Sequence, residues 1–255
     1  MTIQTLINAW AMSGRYQSIN PPVARAEIQA AEAKIGARLP QTLREVYQFS
    51  NGGWVWEVAF YRLRPLSNED HDRPTGRDQY ALTNMNEIYI KNRWPIPEEI
   101  RLFGATDNKL YGIWLSEINN PIFNHPIIEV GSPGRGGEDC MGVVGTNLIS
   151  FLHSWSVYHL IYQEFLKLAD QAYLHLEAGR EELRRIQTAQ DMLQAPQSLR
   201  LNHFDQSQYE QAYEGEEVHL TELRRWADPK LPDPSGTYHS QRYTITDLKR
   251  IFGET

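Results

Sequence analysis

Eight histidines, a single cysteine and one glycine-rich stretch are the residues of this 255-residue chain with the most chemistry to offer. His71 stands within Glu69-Asp70-His71-Asp72, donors that could attract a divalent ion, but the surrounding stretch 67–78 reads as a solvated acidic loop. The remaining histidines run from His125 to His239 with no HExxH and no pair at i, i+4, so no metal is expected. Gly131–Gly137 (GSPGRGG) has backbone amides that could cradle an anion. It lacks the Gly-Lys-Ser/Thr ending of a phosphate loop, and Glu138-Asp139 would repel a phosphate, so a hairpin loop is expected and no cofactor. Cys140 follows Asp139, and a negative neighbour disfavours the thiolate a nucleophile needs. Glu98-Glu99 and Glu181-Glu182 are adjacent in sequence, so on a helix they point apart and do not form a catalytic pair. No G-x-S-x-G elbow is present. No catalytic residue emerges from these patterns, and the expectation is a protein that is not an enzyme.

Composition narrows the classes further. Lys and Arg number 25 against 32 Asp and Glu, a net charge of −7 that opposes direct binding to nucleic acid or anionic lipid. No apolar run approaches the roughly 20 residues of a membrane-spanning helix. The first basic side chain is Arg15, so a secretory signal is not expected and a cytoplasmic location is.

The elements that would position any site follow from periodicity. Thr2–Met12 reads as a helix stopped by Ser13-Gly14. A second helix is expected from Pro21-Pro22, with Ala24, Ile28, Ala31 and Ile35 on one stripe and Gly36 as its C-cap. Leu39-Pro40 opens a third, carrying Leu43, Val46 and Tyr47 and stopping at Asn51-Gly52-Gly53. Trp54–Leu63 reads as a strand or hairpin, and Tyr80–Arg93 leans helical. Ile100–Gly104, Leu110–Leu115, Pro126–Val130 and Cys140–Gly145 are strand candidates joined by connections too short for helical crossovers, hence antiparallel.

From Thr146, the expected N-cap, a helical stripe of Leu148, Phe151, Leu152 and Trp155 continues through Leu160, Ile161, Phe165 and Leu168. Gly179 separates it from a thinner stripe of Leu183, Ile186 and Leu193, which Pro196 ends. A proline-bearing linker then leads to a last helix, Thr246–Phe252, capped by Thr246. The expected fold is α+β: a predominantly antiparallel sheet flanked by helices from both chain ends, with a mostly helical C-terminal extension. The expected division is 1–175 for the α+β domain and 176–255 for the extension, docked on it, because the later stripe is too narrow for a core of its own.

Ile28–Gly53 also resembles the opening of the SUKH superfamily, which includes bacterial immunity proteins and relatives of a fungal cell-wall synthesis regulator. Glu32, Ile35, Gly36, Leu39, Pro40, Tyr47, Asn51, Gly52 and Gly53 carry the resemblance. Leu102–Leu115 is similar to the family's phenylalanine-glycine strand and the strand after it, and Thr146–Trp155 to its closing helix, so the resemblance covers roughly residues 20–170. Asp107-Asn108-Lys109 departs from the family's glycine-rich acidic turn. The resemblance implies a module that binds a protein partner, either as an immunity protein or as a regulator or scaffold of the cell-wall regulator-like branch. If the partner is a nuclease-type toxin with a basic face, acidic stretches are the docking candidates. These are Glu69, Asp70 and Asp72, and the Lys/Arg-free run holding Asp205, Glu210, Glu214, Glu216, Glu217 and Glu222. Trp54 and Trp56 would be the aromatic anchors.

Overall fold

The computed structural model describes residues 1–14, 18–55, 58–63, 96–106, 109–131, 141–200, 222–231 and 243–253. The expected helix at Tyr80–Arg93 and the glycine loop after Gly131 lie outside them. The chain forms two compact units, each built from two stretches of sequence: Met1–Tyr16 with Ile149–Ser240, and Gln17–Leu148 with Gln241–Thr255. Residues 1–175 and 176–255 therefore each contribute to both units.

The unit holding the middle of the chain is an antiparallel meander. Its strands are β1 (Ser18–Ile19), β2 (Gly53–Val55), β3 (Val58–Phe60), β4 (Ile100–Ala105), β5 (Lys109–Trp114), β6 (Ile127–Gly131) and β7 (Met141–Gly145), hydrogen-bonded in sequence order. The four later strands fall within a residue or two of their expected bounds, and short turns impose the antiparallel sense. A register shift between Leu102 and Gly104 opposite β5 marks a bulge at Phe103. Phe103 is fully buried, and its ring lies 5.4 Å from that of Phe60.

Helices α2 (Arg25–Ile35) and α3 (Gln41–Phe49) belong to the same unit. Pro21-Pro22 does not open α2: residues 21–24 are extended, Val23 is buried with its N–H on the Tyr47 carbonyl, and Ala24 is the N-cap. Glu27 replaces the missing side-chain cap by accepting the Ala24 N–H at 2.8 Å. Ile28 and Ala31 are buried, while Ile35 is half-buried beside the left-handed Gly36.

The chain returns to this unit at its far end. Helix α8 (Ile245–Phe252) is capped by Thr244 rather than Thr246, because Asp247 then stands at the third helical position and completes a reciprocal box. Thr244 Oγ1 and N–H both donate to Asp247 Oδ2, at 2.7 and 3.1 Å, and hold that carboxyl below its ordinary range. Phe252 has no exposed surface; its ring meets Trp114 and Phe123 edge-on at 4.8 Å each. The Phe252 carbonyl accepts from Asn119 and Asn120 N–H, and the Asn119 and Asn120 side-chain amides donate to Gly253 and Ile251 carbonyls at 3.0 Å. Tyr243 N–H bonds the Met141 carbonyl, adding an antiparallel bridge to β7.

The other unit is helical in its described part. It comprises α1 (Ile3–Ser13), all but the first residue of α4 (Leu148–Ala169), α5 (Gln171–Leu174), α6 (Glu177–Met192), a short 3₁₀ turn at Gln197–Leu199, and α7 over 222–227. Gly179 does not separate two helices. The break is at Asp170, which caps α5, and at 175–176; Gly179 lies in the first turn of α6, where an added Cβ would sit 2.3 Å from the Tyr173 carbonyl oxygen. Trp10 in α1 is fully buried and donates from Nε1 to Ser156 Oγ at 2.9 Å. Between α4 and α6 the buried Glu164 carboxylate accepts from Gln187 Nε2 (2.9 Å) and Gln190 Nε2 (2.7 Å). Two amide donors there require an acceptor-only side chain, which is why a carboxylate and not an amide occupies the position.

Buried His153 is expected to make the stability of this unit depend on pH. Its Nε2 donates to the Leu193 carbonyl at 2.8 Å, and its ring centroid lies 4.6 Å from that of Trp226. Burial holds its pKa below the ordinary 6.5, against the opposing pull of the Leu193 carbonyl. The unfolded chain therefore takes up a proton first as pH falls, and stability present above about pH 6.5 is lost below it. Urea melts from pH 8 to 5 are expected to show this loss in the native chain and a flatter profile in His153→Phe; parallel profiles would show that His153 does not set it.

Candidate functional site

The family-type motif residues assemble into two structural joints. In the first, Glu32 Oε1 accepts the Leu39 N–H at 2.8 Å and the Arg44 Nε and Nη2 at 2.8 and 2.6 Å. One carboxylate oxygen thus fixes the α2–α3 connection and holds α3 against α2. Both side chains are mostly shielded, so charge and hydrogen bonding act together in a medium less screening than water. Leu39 is buried at the turn between the helices.

The second joint lies where α3 ends. Asn51 is fully buried: its Oδ1 accepts the Leu63 N–H at 2.9 Å, its N–H bonds the Pro21 carbonyl, and its carbonyl accepts from Asn20 Nδ2 at 3.2 Å. Ser50 Oγ accepts the Asn20 N–H and donates to the Gly52 carbonyl at 2.7 Å. Gly52 has φ +66°, and a Cβ there would meet Phe60 O at 2.7 Å and Arg62 N and Tyr61 C at 2.9 Å. Tyr47, also buried, donates from its hydroxyl to the Tyr61 carbonyl at 2.9 Å, and burial pushes its pKa far up. These side chains fix one stretch of backbone to another.

The partner-binding candidates fare differently. Trp54 lies on β2, paired with Ser18 on β1 and Ala59 on β3. Glu222, the first described residue of α7, is exposed next to the buried Leu223 and Arg224. Trp56, Glu69, Asp70, Asp72, Asp205, Glu210, Glu214, Glu216 and Glu217 lie outside the described residues. Among the described residues no group of three or more His, Cys, Asp or Glu could hold a metal ion, and no helix is long and apolar enough to cross a membrane.

A surface site that sequence reading missed lies on the outer side of the first joint. Arg25, Ile28, Gln29 and Glu32 from α2, and Gln41, Arg44 and Gln48 from α3, line an open groove of about 180 Å³. The α2 residues repeat at i, i+4 and i+7 (25, 29, 32), and the α3 residues at i, i+3 and i+7 (41, 44, 48), so each set is one helix face. That polar periodicity is present in the sequence beside the apolar stripe of Ile28 and Ala31.

Comparison with curated proteins gives no match. The sequence model of the SMI1 / KNR4 family (SUKH-1) matches residues 22–154. That span runs from the extended entry to α2, through both joints and the whole meander from β2 to β7, into the first turns of α4. The chain belongs to the SMI1 / KNR4 (SUKH-1) family.

Proposed function

We propose that this protein is a non-enzymatic protein-binding module acting as an immunity protein that neutralises a toxin in the cytoplasm. The observation that carries the proposal is the family match over residues 22–154. The internal use of the motif residues supports it: Glu32 bonds the Leu39 N–H and the Arg44 side chain, Tyr47 and Asn51 bond backbone at Tyr61 and Leu63, and Gly52 packs against residues 60–62, so the surface is left to recognition. The toxin is of nuclease type in this reading, its basic face meeting the acidic inhibitor.

A second reading is a regulatory or scaffold protein of the cell-wall regulator-like branch. It is favoured by the large segment beyond residue 154, outside the family match, which supplies most of a separate helical unit and so a further surface for a partner.

The test is co-expression. Toxin domains encoded beside the gene are produced in a bacterial host with and without this protein. Restored growth together with a stoichiometric complex on gel filtration is the expected result. Neighbouring toxins that kill equally in its presence, or a neighbourhood without toxins, would overturn the immunity reading and favour the regulatory one.

A further inference from the structure

We infer that the α2–α3 groove is a recognition site for one carboxylate side chain, Asp or Glu, presented by a protein partner. The inference rests on the protein-binding reading above and names what one part of the surface takes. Three observations lead to it.

The first is charge. The groove holds two guanidinium groups, Arg25 and Arg44, against the single carboxylate of Glu32, in a chain whose overall charge is −7. Glu32 Oε1 is committed to Arg44 and to the Leu39 N–H. Arg25 is exposed at the first position of α2 and makes no side-chain hydrogen bond or ion pair with the described residues. Among the lining residues, the positive charge without an ion-pair partner is therefore that of Arg25.

The second is the donor set. Gln29 and Gln48 line the groove and make no side-chain hydrogen bond among the described residues, while Gln41 Nε2 is bonded to Glu45 Oε1 at 3.1 Å. A guanidinium fork beside primary amides suits the two oxygens of a carboxylate. Pro40, the N-cap residue of α3, provides no side-chain acceptor, so the first-turn amides, which include that of the lining residue Gln41, carry no side-chain cap.

The third is size. A volume of about 180 Å³ lies below the range of about 300–1,000 Å³ typical of small-molecule pockets, and suits a single side chain. Glu32 within the lining also disfavours a dianionic phosphate more than a singly charged carboxylate, because repulsion scales with the ligand's charge. Ile28, the one apolar residue of the lining, offers the methylene stem of the incoming side chain an apolar contact.

The test uses the full chain, isotopically labelled, titrated with the capped tripeptide acetyl-Gly-Glu-Gly-amide and followed by amide NMR. Acetyl-Gly-Gln-Gly-amide and inorganic phosphate are the two control probes. The Glu peptide is expected to shift the side-chain amides of Gln29 and Gln48 and the backbone amides of 41–43, with an affinity on the order of millimolar for so small a ligand. Arg25→Glu should weaken it about tenfold, the size of one charge-assisted hydrogen bond, and Arg25→Lys should retain part of it. Equal shifts with the Gln peptide, shifts with phosphate but not the Glu peptide, or an unchanged titration in Arg25→Glu would each overturn the assignment. Because no toxin is present, a failed titration beside successful toxin rescue removes the groove alone. A successful titration with failed rescue removes the immunity reading alone.

Discussion

Gly52→Ala is expected to destabilise the sheet-bearing unit by about 2–5 kcal/mol, enough to leave much of a marginally stable domain unfolded. Two costs combine. The backbone at φ +66° lies in the left-handed region, where a Cβ costs about 1–2 kcal/mol. The new Cβ would also stand 2.7–2.9 Å from three backbone atoms at Phe60, Tyr61 and Arg62, none of which can rotate aside. Overpacking of that kind costs about a further 1–3 kcal/mol. Gly36→Ala is the control: its φ is +72°, but nothing lies within 4 Å of the added Cβ, so only the conformational cost of about 1–2 kcal/mol is expected. Urea melts of both variants, followed by circular dichroism, check the difference. Equal losses would mean that residues 60–62 move away from the hairpin at no cost.

Phe252→Ala should cost about 3–5 kcal/mol, the usual range for emptying a buried aromatic position. The side chain has no exposed surface and fills the space between Trp114 and Phe123. The neighbouring Lys249–Glu99 ion pair makes an informative contrast. Lys249 is close to half exposed, so Lys249→Ala is expected to cost less than Phe252→Ala. Amide hydrogen exchange gives a local readout: Asn119 and Asn120 N–H, both bonded to the Phe252 carbonyl, should lose protection in Phe252→Ala and keep it in Lys249→Ala. Retained protection in both variants would show that α8 stays docked by its hydrogen bonds alone.

Local patterns were legible wherever they carried their own cause. The strands from Ile100 to Gly145 announced themselves by alternating apolar stretches and short turns, and Gly36 and Gly52 by backbone conformations that other residues adopt at a cost. Two-residue β1 was invisible, since Ser18–Ile19 becomes a strand only by pairing with Trp54 and Gly53. The start of α2 was misplaced because Pro21-Pro22 suits an extended segment as well as a first helical turn, and the Val23–Tyr47 bond decides between them. Thr246 is expected as the cap from its place before the apolar run, whereas the spacing of Thr244 and Asp247, which forms the reciprocal box, is also local to the sequence. The groove was missed for another reason: its residues are polar on helices read for their apolar faces. The seat of Phe252 could not be inferred at all, because it joins positions more than 125 residues apart.

The interleaving of the two units has a consequence for how the protein is made. As the chain emerges from the ribosome, the meander strands appear first, and the segment that supplies α8 appears only after residues 149–240 have been translated. At about 5–20 residues per second, that delay is roughly 5–20 s. During this interval Trp114 and Phe123 lack their aromatic cover, and the amides of Asn119 and Asn120 lack their acceptor. Until α8 is made, the sheet-bearing unit lacks the contacts that Phe252 supplies, and surface of that kind favours aggregation while it stays exposed. Slowing translation across 149–240 lengthens that exposure without changing a single residue of the finished protein.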